Sequence, residues 1–233
     1  MSAERILVAA AHPDDEVLGC GGTIGKYRKA GHDVRVVFLA EGITARYDPD
    51  QFELPDVKAK IERRNANAKR ALAILGVDGK AVFTSQRYCC RLDQTPLIEL
   101  TKEIERHLID FKPTRLFTHS TGDTNVDHGF VHRAVLAAAR PIAQERRLRA
   151  IYAFEVLSSS EWNPLQPFAP TVFHDITGFI DAKLSALAAY EDEMRAAPHP
   201  RSPEVVRALA TYRGAQMGAA FAEGFVLVRG LDL

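Results

Sequence analysis

Ile6-Leu7-Val8-Ala9-Ala10-Ala11-His12-Pro13-Asp14-Asp15-Glu16 is the stretch on which the reading of this chain turns. Its first six residues form an unbroken apolar run of strand length, with no polar alternation, as a strand buried on both faces requires. Polar residues follow at once. The same transition recurs downstream: Val34 to Ala40 is a β-branched run ending at Glu41-Gly42, Ala81 to Thr84 is a short strand, and Leu116 to Thr118 leads into His119. Ile151 to Leu157 and Phe225 to Val228 are further strand-like runs.

Helical spacing fills the intervals. Gly19, Gly21 and Gly22 read as a break before a helix running to Ala30. Lys58 to Leu75 carries Ile61, Ala68, Leu72 and Leu75 on one face and stops at Gly76. Pro96 opens a helix through Leu108, and His128 to Ala139 forms the next. After the polar loop Ser158 to Thr171, helices are expected near Ala182 to Arg195 and Pro203 to Met217, joined by the loop Ala197 to Ser202. Strand and helix in alternation predict an α/β fold: a Rossmann-like, mostly parallel sheet with helices on both faces. Ligands of such sheets bind at the carboxyl ends of the strands. His12, Glu41 and the His119 to His128 segment all lie at such ends.

Composition narrows the function. Thirty basic residues balance thirty acidic ones, so no global field draws nucleic acid or an anionic membrane. No apolar run approaches the roughly 20 residues of a membrane span, and the N-terminus lacks the layout of a signal peptide. Cys20, Cys89 and Cys90 make no C-x-x-C pair, and two of the three are adjacent, which suits a reduced, cytoplasmic protein. No linker or repeat divides the 233 residues, so a single domain over 1–233 is expected. The glycine run lacks G-x-G-x-x-G spacing and is read as a tight turn that seats the first helix.

The chemistry concentrates in two clusters. His12 and Asp15, three apart across a proline-directed turn, can converge on one ion, leaving Asp14 beside the ion's water as a general base. In His119-Ser-Thr-Gly-Asp123-Thr-Asn125-Val-Asp127-His128 the last histidine offers a third ligand, and Asp127 a carboxylate behind the ligands. A phosphoesterase with two metals needs more ligands than these three. Another single-metal hydrolase and a non-catalytic sugar- or nucleotide-binding module remain as alternatives.

The run AHPDDEVLGCGGT, the strand ending in Glu41-Gly42 and the later D-x-N-x-D-H segment resemble the PIG-L/LmbE family of zinc-dependent N-acetyl sugar deacetylases. The likeness extends to Arg64–Gly76, Arg91-Leu92-Asp93, Ser158 to Trp162 and Pro198-His199-Pro200-Arg201-Ser202. It implies one Zn2+ on His12, Asp15 and His128, Asp14 as base, and a small-molecule N-acetylated sugar as partner. Arg64, Asp93, Trp162 and Arg201 are the expected substrate contacts, with Asp93 otherwise the N-cap of the helix at Pro96. Asn125 stands where several family members carry a histidine, with Asp127 retained. An asparagine donates a hydrogen bond but carries no proton, so charged oxyanion stabilisation must come from elsewhere. His199 is the expected source, since in some members a C-terminal histidine enters the site, at times from a neighbouring subunit of a homo-oligomer.

Overall fold

Ile6, Val8 and Ala10 of the first strand join one hydrophobic cluster, while Leu7 and Ala9 join another. Alternate side chains of a strand face opposite sides of its sheet, so the uninterrupted apolar run marks a strand covered on both faces. The computed structural model describes residues 3–83, 87–141 and 148–231. Its strands are β1 (Arg5–Ala10), β2 (Asp33–Phe38), β3 (Ala81–Phe83), β4 (Arg115–His119), β5 (Ala150–Phe154), β6 (Val172–Asp175) and β7 (Ala222–Gly230). The helices are α1 (Asp15–Lys29), α2 (Pro55–Ile74), α3 (Leu97–Phe111), α4 (Val126–Ala138), α5 (Ile180–Ala188) and α6 (Pro203–Ala215).

Together the strands build one seven-stranded sheet in the order β3-β2-β1-β4-β5-β7-β6. The first five are parallel, and β7 and β6 add antiparallel at one edge. The expected α/β architecture is present. Residues of α1, α2, α5 and α6 pack into the cluster on one face, and those of α3 and α4 into the cluster on the other. The chain leaves β1 toward β2 on one side, and β4 lies on its other side. The strand order therefore reverses between β1 and β4, which opens a crevice at their carboxyl ends.

The glycine run is corrected by the structure. Gly19, Gly21 and Gly22 lie within α1, not in a turn before it, and the helix bends at Cys20, with φ −147° and ψ 25°. The reason is proximity. A Cβ on Gly19 would meet the Phe154 ring at 2.3 Å, and one on Gly22 would meet Ile176 at 2.7 Å. The glycines let α1 approach the sheet closely, which brings Asp14 and Asp15 over the crevice.

Two further boundaries differ from expectation. The helix near Ala182 to Arg195 ends at Ala188, after which Tyr190 turns inward, fully buried, and its hydroxyl reaches Glu16. The strand Val172–Asp175 lies outside the expected runs; it is short and, among the described residues, pairs with β7 alone. Thr84, expected to end the third strand, falls outside the described residues. Among the described residues no helix is long and apolar enough to cross a membrane.

Candidate active site

Asp14 has φ +125°, a backbone angle that side-chain-bearing residues rarely adopt. The turn tolerates it because the amides of Val17 and Leu18 donate to its carbonyl, while its own N–H donates to Glu16 at 3.0 Å. Asp14 occupies the N-cap position of α1, yet its side chain makes no capping bond. It faces the cavity instead. Arg201 donates to its Oδ2 at 2.8 Å and Arg64 at 3.3 Å. Burial pushes Asp14 up to about 6, against the pull of Arg201 and Arg64.

Its neighbour behaves oppositely. Asp15 Oδ2 accepts the His12 amide at 2.8 Å and lies 3.3 Å from both His12 Nδ1 and His128 Nε2. Burial works against its charge, but His128, His119 and His12 outweigh it and hold Asp15 well below the usual carboxylate range. Two consecutive carboxylates thus take different environments, one against guanidinium groups and one against imidazoles. The backbone twist at Asp14 separates them.

Each of the two histidines has a second carboxylate behind it. His12 Nε2 pairs with Asp127 Oδ2 at 2.8 Å. Asp127 is fully buried and held by the amides of Cys90, at 2.6 Å, and Leu92, at 2.8 Å. Nδ1 of His128 lies 2.9 Å from Asp123 Oδ2. Asp123 in turn accepts the hydroxyls of Ser159 and Ser160 at 2.9 and 2.7 Å, and the Asn125 amide at 2.8 Å. Burial opposes a charge on His128, yet Asp15 and Asp123 raise its pKa to about 9. Both ring nitrogens of His128 are buried, and each faces a carboxylate oxygen without a well-aligned hydrogen bond among the described residues.

His119 is near these groups but differently occupied. Its Nε2 accepts the Ala11 amide at 2.8 Å, so that lone pair is taken. Its ring stacks on His128 with centroids 3.9 Å apart, steadying the imidazole. Burial, followed by the nearby His128, keeps His119 well below the normal histidine pKa. Two overlapping groups offer donor atoms within 4.8 Å of one another, His12–Asp15–His128 and His12–Cys89–Asp127. They share His12 and make this corner a possible metal-binding site.

The cavity in front of these groups measures about 280 Å³ and is lined in part by His12, Asp14, Arg64, Asn125, His199 and Arg201. That size is at the small end of ligand pockets, which run from roughly 300 to 1,000 Å³. Asn125 caps α4 by accepting the Asp127 amide on Oδ1 at 3.0 Å. Nδ1 of His199 accepts the Arg201 amide at 3.0 Å. The ring proton of neutral His199 therefore sits on Nε2. Arg64, on α2, is 2% exposed and spans the Pro13 carbonyl, Asp14 and Glu193, so it braces Asp14.

Asp93 and Trp162 do not join them. Asp93 lies exposed on the turn Leu92–Gln94 and does not cap α3, whose N-cap is Pro96. Trp162 is 60% exposed, and neither residue lines the cavity.

Sequence reading overlooked Glu193. The residue is 6% exposed, and its carboxylate receives Arg46, Arg64 and Arg201 together. Glu41, at the end of β2, also has a structural task. It accepts the amides of Ile43, Thr44 and Cys89, which ties the second and third strand-end loops together.

The PIG-L family model, GlcNAc-PI de-N-acetylase, matches residues 7–139, which include His12, Asp14, Asp15, Asn125, Asp127 and His128. The chain belongs to the PIG-L family. A 1D-myo-inositol 2-acetamido-2-deoxy-alpha-D-glucopyranoside deacetylase of Mycobacterium sp. (strain JLS) is 27% identical over 236 residues, covering 85% of this chain and 77% of the relative. The N,N'-diacetylchitobiose deacetylase of Pyrococcus horikoshii superposes with a TM-score of 0.77 at 20% identity, covering 97% of this chain and 84% of the other. GalB, a 4-carboxy-2-hydroxymuconate hydratase of Pseudomonas putida KT2440, superposes with a TM-score of 0.69 at 24% identity, covering 99% and 98%. The two superpositions speak for the fold alone.

Proposed function

We propose that this PIG-L protein hydrolyses the N-acetyl group of an amino sugar or sugar conjugate, releasing acetate and a free amine. The reaction would use one divalent metal held by His12 Nδ1, Asp15 and His128 Nε2. One observation carries the ligand choice: each histidine faces Asp15 with one nitrogen and a separate buried carboxylate with the other. Carboxylate–histidine–metal arrangements have this form, the outer acid fixing the tautomer and raising ligand basicity. In the alternative trio through Cys89, Asp127 already accepts the amides of Cys90 and Leu92 and pairs with His12 Nε2.

Two nitrogens and a carboxylate suit zinc, which in a three-ligand site would supply Lewis acidity and lower the pKa of water to about 7. The remaining steps belong to the chain. Asp14, held by Arg201 and Arg64 at the cavity wall, takes the proton of the attacking water and returns it to the departing nitrogen. Nε2–H of His199 donates to the oxygen that gains charge, and the side-chain amide of Asn125 helps to seat the acetamide. Arg201 serves both Asp14 and the substrate. The deacetylases among the relatives support this chemistry, as does the family description itself. We further read residues 1–233 as one domain acting in the cytoplasm on a small molecule.

Incubation with N-acetylglucosamine derivatives should release acetate in step with free amine. Chelation should stop the release and added Zn2+ should restore it. Phosphate release, hydration of an enoate, or binding without turnover would each point to a different function.

A further inference from the structure

The cavity wall holds four guanidinium groups, Arg46, Arg64, Arg195 and Arg201, against two carboxylates, Asp14 and Glu193. These six are not evenly matched. Arg64 and Arg201 each pair with both Asp14 and Glu193. Arg46 spends one Nη2 on Glu193 and leaves its side chain 48% exposed. Arg195, also exposed, donates from Nη1 to the backbone carbonyls of Asp192 and Met194, and no carboxylate pairs with it among the described residues. The outer wall of a cavity with a reactive carboxylate inside therefore keeps two guanidinium groups with spare donors.

Their placement is built. Glu193 gathers Arg46, Arg64 and Arg201 at one point, which fixes Arg46 to the rim. Arg195 is seated two residues further on, its own fork anchored by main-chain oxygens. A guanidinium held in this way presents its remaining N–H groups as a planar fork, the geometry that suits a carboxylate or phosphate. Charges of one sign around a cleft also concentrate ligands of the opposite sign.

Resting on the deacetylase reading above, we propose that the preferred substrate is an anionic amino sugar. Its acidic group, outside the acetamide, would be gripped by Arg195 and Arg46 while the acetamide meets Asp14. Carboxylate and phosphate share this chemistry, and the choice between them is left to the test.

The experiment uses metal-loaded protein and three ligands: N-acetylglucosamine, its 1-phosphate, and its C6 carboxylate counterpart. Binding is followed by calorimetry and acetate release by kcat/KM. At least one acidic ligand should bind roughly 10–100-fold more tightly than the neutral sugar, the scale of one charged hydrogen-bonded contact. That advantage should shrink in Arg195→Gln and in Arg46→Gln, and on raising the salt. Preference for the phosphate alone or for the uronate alone identifies the acidic group. Phosphate binding that persists in both variants marks direct capture by the metal and overturns the clamp. So does equal binding of neutral and acidic sugars, whatever the turnover. Acid-selective binding that depends on these arginines, with no acetate from any ligand, upholds the clamp and overturns the deacetylase reading.

Discussion

His12 and Asp127 meet at 2.8 Å through Nε2 and Oδ2, although 115 residues separate them in the chain. In the proposed metal site this pair selects the ligand nitrogen, because a proton held on Nε2 by Asp127 leaves Nδ1 toward Asp15. The pair also clasps the first strand-end loop to the start of α4 across the point where the strand order reverses.

Removing that outer carboxylate should weaken the metal without unfolding the protein. Asp127→Asn and Asp123→Asn are each expected to lower metal affinity by roughly 10–100-fold, the usual worth of such partners. Competition with a chromogenic chelator measures it. Unchanged affinity in both variants would remove the basis for choosing Nδ1 of His12 and Nε2 of His128.

Much of this site is legible in the sequence because its chemistry is local. His12, Asp14 and Asp15 sit on one turn after one buried strand, and Asn125, Asp127 and His128 on one helix start. Glu193 is not legible in that way. Its meaning comes from Arg46, Arg64 and Arg201, and the first two lie more than 120 residues away. Helical spacing also carries the eye past Ala188, whereas the burial of Tyr190 beside Glu16 is what turns the chain there. The glycines fail for a related reason. Whether a glycine marks a turn or a close approach depends on what packs against it, here Phe154 and Ile176.

Gly19 and a further glycine of α1, Gly25, supply a paired stability test. Gly19→Ala should destabilise by about 1–3 kcal/mol, the cost of overpacking, because its Cβ would meet Phe154 at 2.3 Å. Gly25→Ala faces nothing nearer than 3.4 Å and should be neutral or gain up to ~1 kcal/mol from helix propensity. Denaturant unfolding of both variants checks the contrast. Equal effects would show that close approach is not why these glycines are there.

His199→Ala should cut kcat/KM by roughly 10–10³-fold, at or below the scale of a lost oxyanion donor, with metal content unchanged. His199→Gln, which keeps a neutral donor, should recover part of the loss. Steady-state kinetics alongside metal analysis reads both. A fully active alanine variant would leave the cavity histidine without a catalytic part.

The central claim is that the adjacent carboxylates Asp14 and Asp15 divide the labour, one toward water and one toward the metal. Metal content and acetate release measured together on Asp14→Asn and Asp15→Asn test it most directly. Asp14→Asn should retain near-wild-type metal while turnover falls by roughly 10²–10⁴-fold, the range for a lost general acid–base group. Asp15→Asn should lose metal first, with activity following the metal that remains. An Asp14→Asn protein that comes up empty, beside an Asp15→Asn protein that keeps its metal, would contradict the account.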